Sequence, residues 1–301
     1  MIQQLLQISQ EKPLELYPST KDWSIAYYEL TKDEPPFGKA LFGGFTCQQF
    51  SFVFMAGYQA ALEKMFPSIA PNELKALCVS EAKGGHPKNI HTTLIDNQIR
   101  GLKTYITAGS DAAHLLVLCK TKEHTNDRPL LKMVYLPRTA KNIEVTDFEL
   151  PFMLDVKHGK LSLKDTKITD QQILTGDGYV DYTKPFKTLE DILVGAATQA
   201  MLLRQAIDHK WEAEVRDQLL LNLYTLKNLL ALPPSDRETH LLLSINEQNF
   251  ENLLPSIDLN IAKHSSAQFK ADWALNKRVI AMGKKLKEVR LLKARNLLFG
   301  A

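Results

Sequence analysis

A short stretch early in the chain brings together side chains that can contact a bound group. Ser80 and Glu81 precede the glycine pair Gly84 and Gly85, and His86 follows directly, ahead of a proline. Adjacent glycines let the backbone approach another group closely, and a His-Pro step ends regular strand pairing. These residue types therefore indicate that another group can lie against the turn. The same residues also permit a plain β-hairpin with a glycine-rich connection and no ligand.

Bulk composition places these residues in an ordinary globular protein. The 301 residues are 45% hydrophobic and 24% charged, values that argue against both a disordered chain and a membrane-spanning one. A chain of this length is expected to form two or three structural layers. No basic region followed by an apolar core opens the chain, so we predict a cytoplasmic protein with no membrane partner.

Cysteine and histidine spacing argues against a metal site. Cys47, Cys78 and Cys119 stand far apart, without the close pairs of a zinc site or a disulfide framework, and are predicted to be buried thiols. The eight histidines show no metal-like spacing, so no metal is assigned. A net charge of +3 is too small to indicate a polyanionic partner by itself.

The chain changes texture twice, from helical to strand-like and back to helical. Residues 47–66 have the length and apolar spacing of a mostly buried helix that Pro67 ends. Helices, then strands, then helices, without regular βαβ alternation, predict an α+β fold. The predicted domains are an N-terminal helical segment at 1–73, a middle β domain at 74–185 and a C-terminal helical bundle at 186–301.

Six short β-rich runs make up the predicted middle domain. Turn signals between them include Asp96-Asn97 and Asn126-Asp127. Breaks in the later helical region are predicted at LPPSDRE (232–238) and LLPSID (253–258). The six runs are ALCVS (76–80), HTTLI (91–95), LKTYIT (102–107), HLLVLC (114–119), LKMVYLP (131–137) and GKLSLKDTKI (159–168).

The order of these motifs resembles the middle domain of acyl-CoA dehydrogenases. Ser80-Glu81, Gly84-Gly85-His86 and the run GLKTYITAG at 101–109 match in order and spacing a Thr-Glu-Pro…Gly-Ser stretch that precedes Gly-x-Lys-x-Trp-Ile-Thr. Further on, LDVKHGKLSLKDTKI and GDGYVDYTKPFKTLEDILVGAATQAMLLR resemble the family's closing strand and the start of its C-terminal bundle. The resemblance covers about residues 47 to 216. It implies a distant, shortened member with N-terminal helices, a middle β-sheet or barrel domain and a C-terminal helical bundle.

The resemblance also implies FAD bound against the β domain. Ser80, Tyr105 and Thr107 then occupy positions that contact the flavin, because a hydroxyl can hydrogen-bond the polar edge of the ring and an aromatic side chain can pack on its plane. Gly84 and Gly85 would let the chain pass close to a phosphate of the cofactor or of coenzyme A.

Three positions depart from the family's pattern. His86 stands where the family has a serine, Ala82 where it has a proline, and Tyr105 where it has a tryptophan. His86 stays among the candidate cofactor-binding residues with its neighbouring glycines. Together the three departures indicate a distant member or a flavin site that has drifted.

Glu190 is the candidate catalytic base. Acyl-CoA dehydrogenation needs a carboxylate that removes the α-proton of the thioester while hydride leaves the β-carbon. The family's usual Tyr-Glu-Gly turn is missing, but a minority of members place the base in a Leu-Glu-Arg-Leu-like stretch, which TLEDIL resembles. The pattern equally predicts a helix N-terminus, since Thr188 to Asp191 has the spacing of a cap and an acid in the first turn suits the helix dipole.

Arg216 is the last candidate cofactor residue. It lies about seven helical turns of sequence after Glu190, where the family tends to carry an arginine that contacts the FAD pyrophosphate of a neighbouring subunit. The glycine that follows in the family is missing, and a surface arginine paired to Glu212 or Asp217 is the interpretation that the sequence favours. The family's Gln-x-x-Gly-Gly-x-Gly-Tyr segment has no counterpart in residues 230–301.

The segment 275–295 is predicted to be a helix with one apolar and one basic face. A solvated or subunit-facing surface is the common explanation, and a phosphate of coenzyme A or FAD, or nucleic acid, is the alternative. Nucleic acid is ranked low because no aromatic residues interleave the charges. The basic residues are Lys277, Arg278, Lys284, Lys285, Lys287, Arg290, Lys293 and Arg295, and the apolar ones are Leu275, Val279, Met282, Leu286 and Val289.

The resemblance implies an FAD-dependent enzyme of fatty acid metabolism that oxidises an acyl-CoA to the 2,3-enoyl-CoA, assembled as a homodimer or homotetramer. The rival hypothesis is a non-catalytic member that keeps the scaffold as a binding or assembly protein, which the missing motifs and the altered His86 and Tyr105 favour. A third hypothesis is a DNA-associated member that uses the basic C-terminal segment, and it predicts strongly salt-dependent binding.

Overall fold

A computed structural model describes residues 2–12, 14–125 and 128–300. Nine α-helices and seven β-strands lie within these ranges. The described chain divides into two compact units, of which one comprises residues up to Pro18, Glu29–Lys64 and Thr188 onward, and the other comprises Ser19–Tyr28 and Met65–Lys187. The helices are α1 (Ile2–Glu11), α2 (Thr20–Thr31), α3 (Pro36–Phe45), α4 (Phe50–Met65), α5 (Lys184–Asp208), α6 (Ala213–Leu229), α7 (Arg237–His264), α8 (Ala267–Asn276) and α9 (Lys284–Phe299).

Helix α4 confirms the buried helix predicted at residues 47–66. Nearly all of its residues are buried, which agrees with an apolar character on every side. It begins at Phe50, whose backbone N–H donates to a carboxylate oxygen of Asp272 at 2.8 Å. A side chain distant in sequence therefore caps the helix start, and no local pattern could have indicated it.

The second unit, Ser19–Tyr28 with Met65–Lys187, is built on a mixed sheet and is called the β unit, and the first is called the helical unit. Its strands are β1 (Lys75–Cys78), β2 (Thr93–Ile95), β3 (Gln98–Thr107), β4 (His114–Thr125), β5 (Arg128–Pro137), β6 (Ile143–Phe148) and β7 (His158–Lys167). The order is β1-β4-β2-β3-β7-β6, and β5 pairs with β4. β4 is parallel to β1 and β2, and the other pairs are antiparallel. The six predicted strands are confirmed.

Strand β6 was missed by the sequence analysis. It pairs with β7 from Ile143 opposite Leu163 to Phe148 opposite His158, and it ends the strand order. None of its residues is buried, and it carries Glu144 and Asp147. An edge strand with charges on it lacks the apolar signal by which strands are recognised.

The tight turn between β2 and β3 confirms the Asp96-Asn97 turn signal. Both residues have positive φ, 50° at Asp96 and 56° at Asn97. Two consecutive left-handed residues form the turn that suits the twist of a two-residue hairpin, and Asp and Asn tolerate this conformation. The second turn signal, Asn126-Asp127, lies outside the described residues.

Two predictions about the helical region were wrong. Residues 253–258 do not interrupt the helical structure, because α7 continues through the exposed Pro255. Buried Phe250 and Ile257 flank this proline in the same helix, and their packing outweighs the lost backbone hydrogen bond. The segment 275–295 is not one helix either, since Gly283 adopts φ 77° and separates α8 and a short 3₁₀ turn from α9. The break predicted at 232–238 is confirmed.

The three cysteines are part of the buried interior. Cys47, Cys78 and Cys119 are free and buried, as predicted. No helix in the described ranges is long and apolar enough to span a bilayer. Among those residues, no group of three or more His, Cys, Asp or Glu side chains is arranged to hold a metal ion.

Candidate functional site

The glycine pair forms a tight turn directly after β1. Glu81 N donates to Gly84 O at 3.3 Å, and Gly84 N donates to Glu81 O at 2.8 Å. Gly84 has φ 90°, a conformation that L-residues rarely adopt, and a Cβ at this position would meet no atom within 4 Å. The turn therefore requires glycine for its backbone angle, and the backbone there is open to an approaching ligand.

Glu81 and Lys103 form a buried ion pair beneath this turn. Their side chains are 7% and 0% exposed, and Lys103 Nζ lies 2.8 Å from Glu81 Oε1. Glu81 also accepts hydrogen bonds from the backbone amides of His91 at 2.8 Å and Thr92 at 3.0 Å. Burial raises the pKa of Glu81, but attraction to Lys103 and these hydrogen bonds lower it further, so the pKa lies below its usual range. Glu81 is therefore a carboxylate at neutral pH.

Tyr105 sits at an irregularity in β3 and projects its ring outward. Pairing with β7 shifts between Lys103 and Ile106, and Tyr105 has φ 54° in this bulge. Its side chain is 63% exposed, and its ring meets that of Phe148 edge to face. A bulky residue in left-handed backbone is strained, and a bulge re-aims its side chain. Strain of this kind accumulates at ligand-binding sites.

Two predicted hydroxyl contacts lie on the same unit as Tyr105. Ser80 and Thr107 are both half-buried, and among the described residues neither hydroxyl has a hydrogen-bond partner. The carbonyl of Ser80 accepts from Thr104 N at 2.8 Å, which ties the turn after β1 to the strand that carries Tyr105. The structure thus brings Ser80 to β3, and two hydroxyl groups remain available to a ligand.

The imidazole of His86 caps its own local turn. Its Nδ1 accepts from Lys88 N at 3.3 Å, and the imidazole begins the short 3₁₀ turn Pro87–Asn89. His86 is exposed and Gly85 is half-buried. A Cβ on Gly85 would lie 3.1 Å from Val79 Cγ1. A side chain at position 85 would therefore be crowded by Val79. These two residues border the open backbone of Gly84.

Four residues near the predicted contacts escaped the sequence analysis as candidates. Phe148 and His158 face each other across β6 and β7, and His158 also pairs with Thr107 across β7 and β3. His158 is buried, its Nδ1 lies 3.1 Å from Val156 O, and burial lowers its pKa, so the imidazole is neutral. The other two are Glu81 and Lys103. All four residues reach the candidate site through strand register, which a single sequence does not specify.

Glu190 lies in the other unit, inside α5. This helix begins at Lys184, after a π-helical turn over Gly178–Thr183, so Glu190 is past the first turn. Thr188 is buried within the helix, and its hydroxyl lies 3.3 Å from His240 Nε2. The prediction that Thr188 caps the helix was therefore wrong. Glu190 is half-buried.

Arg216 also lies in the helical unit, in the first turns of α6. Its guanidinium forms no ion pair with any described carboxylate, and its Nε is buried without a hydrogen-bond partner. The contact to Glu212 is a backbone one, from Arg216 N to the carbonyl at 3.3 Å. The predicted surface pairing with Glu212 or Asp217 was therefore wrong, because the half-buried guanidinium forms no ion pair with either acid within the described part of the chain.

Basic residues of the C-terminal segment form ion pairs within the helical unit. Arg290 and Lys287 lie 2.5 Å and 3.7 Å from Asp191 of α5, and Lys287 lies 2.5 Å from Glu247 of α7. Lys277 and Lys284 pair with Asp258 and Glu251 of α7 at 2.8 Å and 3.2 Å. These ion pairs neutralise much of the positive charge that the sequence places in one segment.

No protein-family model matches the chain, and no curated protein sequence matches it significantly. Solved structures do match. An acyl-CoA dehydrogenase from Geobacillus kaustophilus aligns over 97% of this chain and 97% of its own, with a TM-score of 0.64 and 14% identity. The chain has the acyl-CoA dehydrogenase fold. The predicted arrangement of N-terminal helices, β-sheet and C-terminal helices is thereby confirmed.

Two further solved structures are similar in fold to this chain. One, described as an FAD-dependent dehydrogenase, covers 98% of this chain and 96% of its own, with a TM-score of 0.70 and 14% identity. The other, FMN-bound TdsC from Paenibacillus sp. A11-2, covers 88% and 84%, with a TM-score of 0.67 and 12% identity. In this fold Ser80, Tyr105 and Thr107 lie in the β unit, and Glu190 and Arg216 lie in the helical unit.

Proposed function

We propose that this protein is an acyl-CoA dehydrogenase-like flavoprotein of the cytoplasm that binds FAD on its β unit and dehydrogenates an acyl-CoA thioester. The fold carries the proposal, since it is shared over nearly the whole chain with an acyl-CoA dehydrogenase and an FAD-dependent dehydrogenase. We further propose that the chain acts in fatty acid metabolism.

The residue types at the candidate site match the chemical groups of a flavin. A flavin presents a planar apolar face and an edge of carbonyl and ring-nitrogen groups. Tyr105 offers an exposed aromatic ring, and Ser80 and Thr107 offer hydroxyls that have no hydrogen-bond partner in the described part of the chain. Gly84 offers open backbone for a phosphate. These four features support flavin binding on this unit.

Glu190 is proposed as the residue that moves the proton. A bound flavin would supply the acceptor for the hydride that leaves the β-carbon. The Glu190 carboxylate would take the α-proton onto one oxygen, while the electrons of that C–H bond form the new double bond between the α- and β-carbons. Its half-buried position inside a helix, past the first turn, supports a role other than capping.

We also propose that the protein assembles as a homodimer or homotetramer through its helical unit. Helix α9 exposes Val289, Leu292 and Phe299, with 56%, 58% and 71% of each residue accessible. Their spacing of three and seven residues places them along one side of the helix. An exposed apolar stripe on a helix is typical of a surface that another chain covers. Light scattering after size-exclusion chromatography tests this, and a monomer at micromolar concentration would contradict it.

The deciding experiment is a visible absorption spectrum of the purified protein before and after incubation with FAD. A retained flavin spectrum that bleaches when an acyl-CoA is added without oxygen is the expected result. Repeating the measurement with free coenzyme A, which has no acyl chain to oxidise, provides the matched control. Bleaching by both compounds would contradict α,β-dehydrogenation.

The alternative is a non-catalytic protein that keeps the scaffold for binding or assembly. It is supported by the missing Tyr-Glu-Gly and Gln-x-x-Gly-Gly motifs. A protein that stays colourless after incubation with FAD would favour it. Binding to DNA, the third hypothesis, is disfavoured by the ion pairs that α9 makes with α5 and α7.

A further inference from the structure

The segment between β1 and β2, Val79 to Thr92, is held at both ends by the ion pair between its own Glu81 and Lys103 of β3. We call it the 79–92 loop. Lys103 Nζ donates to Glu81 Oε1 at 2.8 Å and to the carbonyl of Val79 at 3.3 Å. The far end of the loop returns to the same carboxylate, because the amides of His91 and Thr92 donate to Glu81. A single buried ion pair thus closes the loop on itself and onto the strand.

Two neighbours of Lys103 complete the attachment. The Ser80 carbonyl accepts from Thr104 N at 2.8 Å and from Thr104 Oγ1 at 3.3 Å. A Cβ added at Gly101 would overlap Thr92, so this strand position needs glycine for the loop to lie against it. Gly101, Lys103 and Thr104 of β3 therefore hold the loop, and the next residue after Thr104 is Tyr105.

The energetics of a buried ion pair indicate that it positions the loop rather than adding net stability. Removing two charges from water costs free energy that their attraction repays only with good geometry and additional hydrogen bonds. Apolar residues of similar size would stabilise a core at least as well. The Glu81 carboxylate, however, engages three donors from separate parts of the chain. An apolar pair would leave the amides of His91 and Thr92 and the carbonyl of Val79 without these partners.

We propose that Glu81 and Lys103 are a positioning pair that fixes the 79–92 loop and the Tyr105 bulge in register for ligand binding. The pair acts through Ser80, whose hydroxyl faces no protein partner among the described residues, and through the strand that carries Tyr105. This inference rests on the proposed flavin site, because the ligand that the register serves is the flavin.

The test is a double-mutant cycle with Glu81→Gln, Lys103→Met and the two combined. Each single substitution leaves one buried charge without its partner, and the double variant removes both charges. The matched control is Glu144→Gln, which breaks an ion pair with Lys164 on β6 and β7, where both side chains are at least 60% exposed. Three quantities are measured for every variant: the dissociation constant for FAD, the urea midpoint, and hydrogen exchange of the His91 and Thr92 amides.

The double variant separates positioning from stability. We expect both single variants to lose stability and to bind FAD at least about tenfold more weakly, corresponding to about 1.4 kcal/mol. The double variant is expected to recover its urea midpoint, yet to keep the weak FAD binding and the fast amide exchange. The Glu144→Gln control is expected to change FAD affinity by less than about twofold.

Recovery of FAD affinity together with stability in the double variant would overturn the inference, since the pair would then serve the core alone. So would unchanged FAD affinity in folded single variants. A wild-type protein that binds no FAD would remove the proposed function and this inference with it, and that failure is visible before any variant is made.

Discussion

The ring of Tyr105 meets the ring of Phe148 edge to face, with centroids 5.6 Å apart. Tyr105 reaches this position from a left-handed backbone conformation, φ 54°, that costs about 1 kcal/mol or more for a residue with a Cβ. The aromatic contact returns about 0.5–1.5 kcal/mol. The two contributions nearly cancel, so the folded state gains little from this tyrosine, and its exposed ring is available for a ligand.

Replacing Tyr105 with glycine is expected to separate ligand binding from stability. Glycine removes the backbone strain and the ring contact together, so the free energy of unfolding should change by less than about 1 kcal/mol. FAD affinity should fall about five- to tenfold, because the stacking surface is lost. Urea unfolding and a flavin titration measure the two effects. Asn142→Gly, at another left-handed position (φ 63°), is the control and should leave FAD affinity unaltered.

Replacing Glu190 with glutamine is expected to stop proton removal without weakening flavin binding. The rate of flavin reduction by an acyl-CoA, measured by anaerobic stopped flow, should fall at least about 100-fold. Asp191→Asn is the matched control on the same helix. Asp191 pairs with Arg290 and Lys287, so this variant should lose stability and keep the reduction rate within a few-fold. Full activity in Glu190→Gln would remove this residue from the mechanism.

Arg216 is expected to discriminate between flavins. Because its guanidinium has no ion-pair partner among the described residues, Arg216→Ala should cost little stability. If the side chain binds the pyrophosphate, FAD affinity should fall about tenfold or more, while affinity for FMN, which lacks the pyrophosphate, should fall much less. Equilibrium titrations with both flavins measure the difference. Equal losses for the two cofactors would show that Arg216 acts elsewhere.

Glu81 should make stability sensitive to acid. Its folded-state pKa lies below the unfolded value, so its contribution is present above the unfolded pKa of about 4.3 and is lost as pH falls through the folded pKa. Lys103 is the charged group beside it, and the thiols of Cys78 and Cys119, whose pKa values burial raises to about 12, stay neutral. The stability deficit of Glu81→Gln relative to wild type should therefore shrink from pH 7 to pH 3. Urea unfolding across this range measures it.

Glu247 should show the opposite dependence on pH. Burial and repulsion from Asp191 raise its pKa, outweighing attraction to Lys287 and Arg290. A carboxyl with a raised folded-state pKa contributes stability below the unfolded pKa and loses that contribution as pH rises through the folded pKa. Glu247→Gln should therefore gain stability relative to wild type between pH 4 and pH 7. A relative loss over this interval would contradict the raised pKa.

Local features of the fold were predictable because short-range chemistry determines them. The Asp96-Asn97 hairpin follows from two residues that tolerate positive φ, and the turn at Gly84 follows from a residue without a Cβ. Alternating or continuous apolar runs predicted six strands. The order and spacing of the Ser80 and Tyr105 motifs predicted the acyl-CoA dehydrogenase fold, which the solved structures confirm.

Features that depend on distant contacts were decided by the tertiary structure. Helix α5 begins ahead of Thr188, and α7 continues through Pro255, because packing of their apolar faces outweighs local capping and proline preferences. Strand β6 forms because β7 offers it an edge, although its own sequence carries charges.

The sequence by itself predicted Ser80, Gly84, Tyr105 and Thr107 as candidate ligand contacts, because their residue types suit such contacts. It did not determine that Glu81 and Lys103 meet, since 22 positions separate them and only the register of β3 against the 79–92 loop brings them together. Nor did it determine the left-handed bulge at Tyr105, which strand pairing with β7 imposes. Residue types fix what a side chain can do, and long-range backbone pairing selects which side chains do it together.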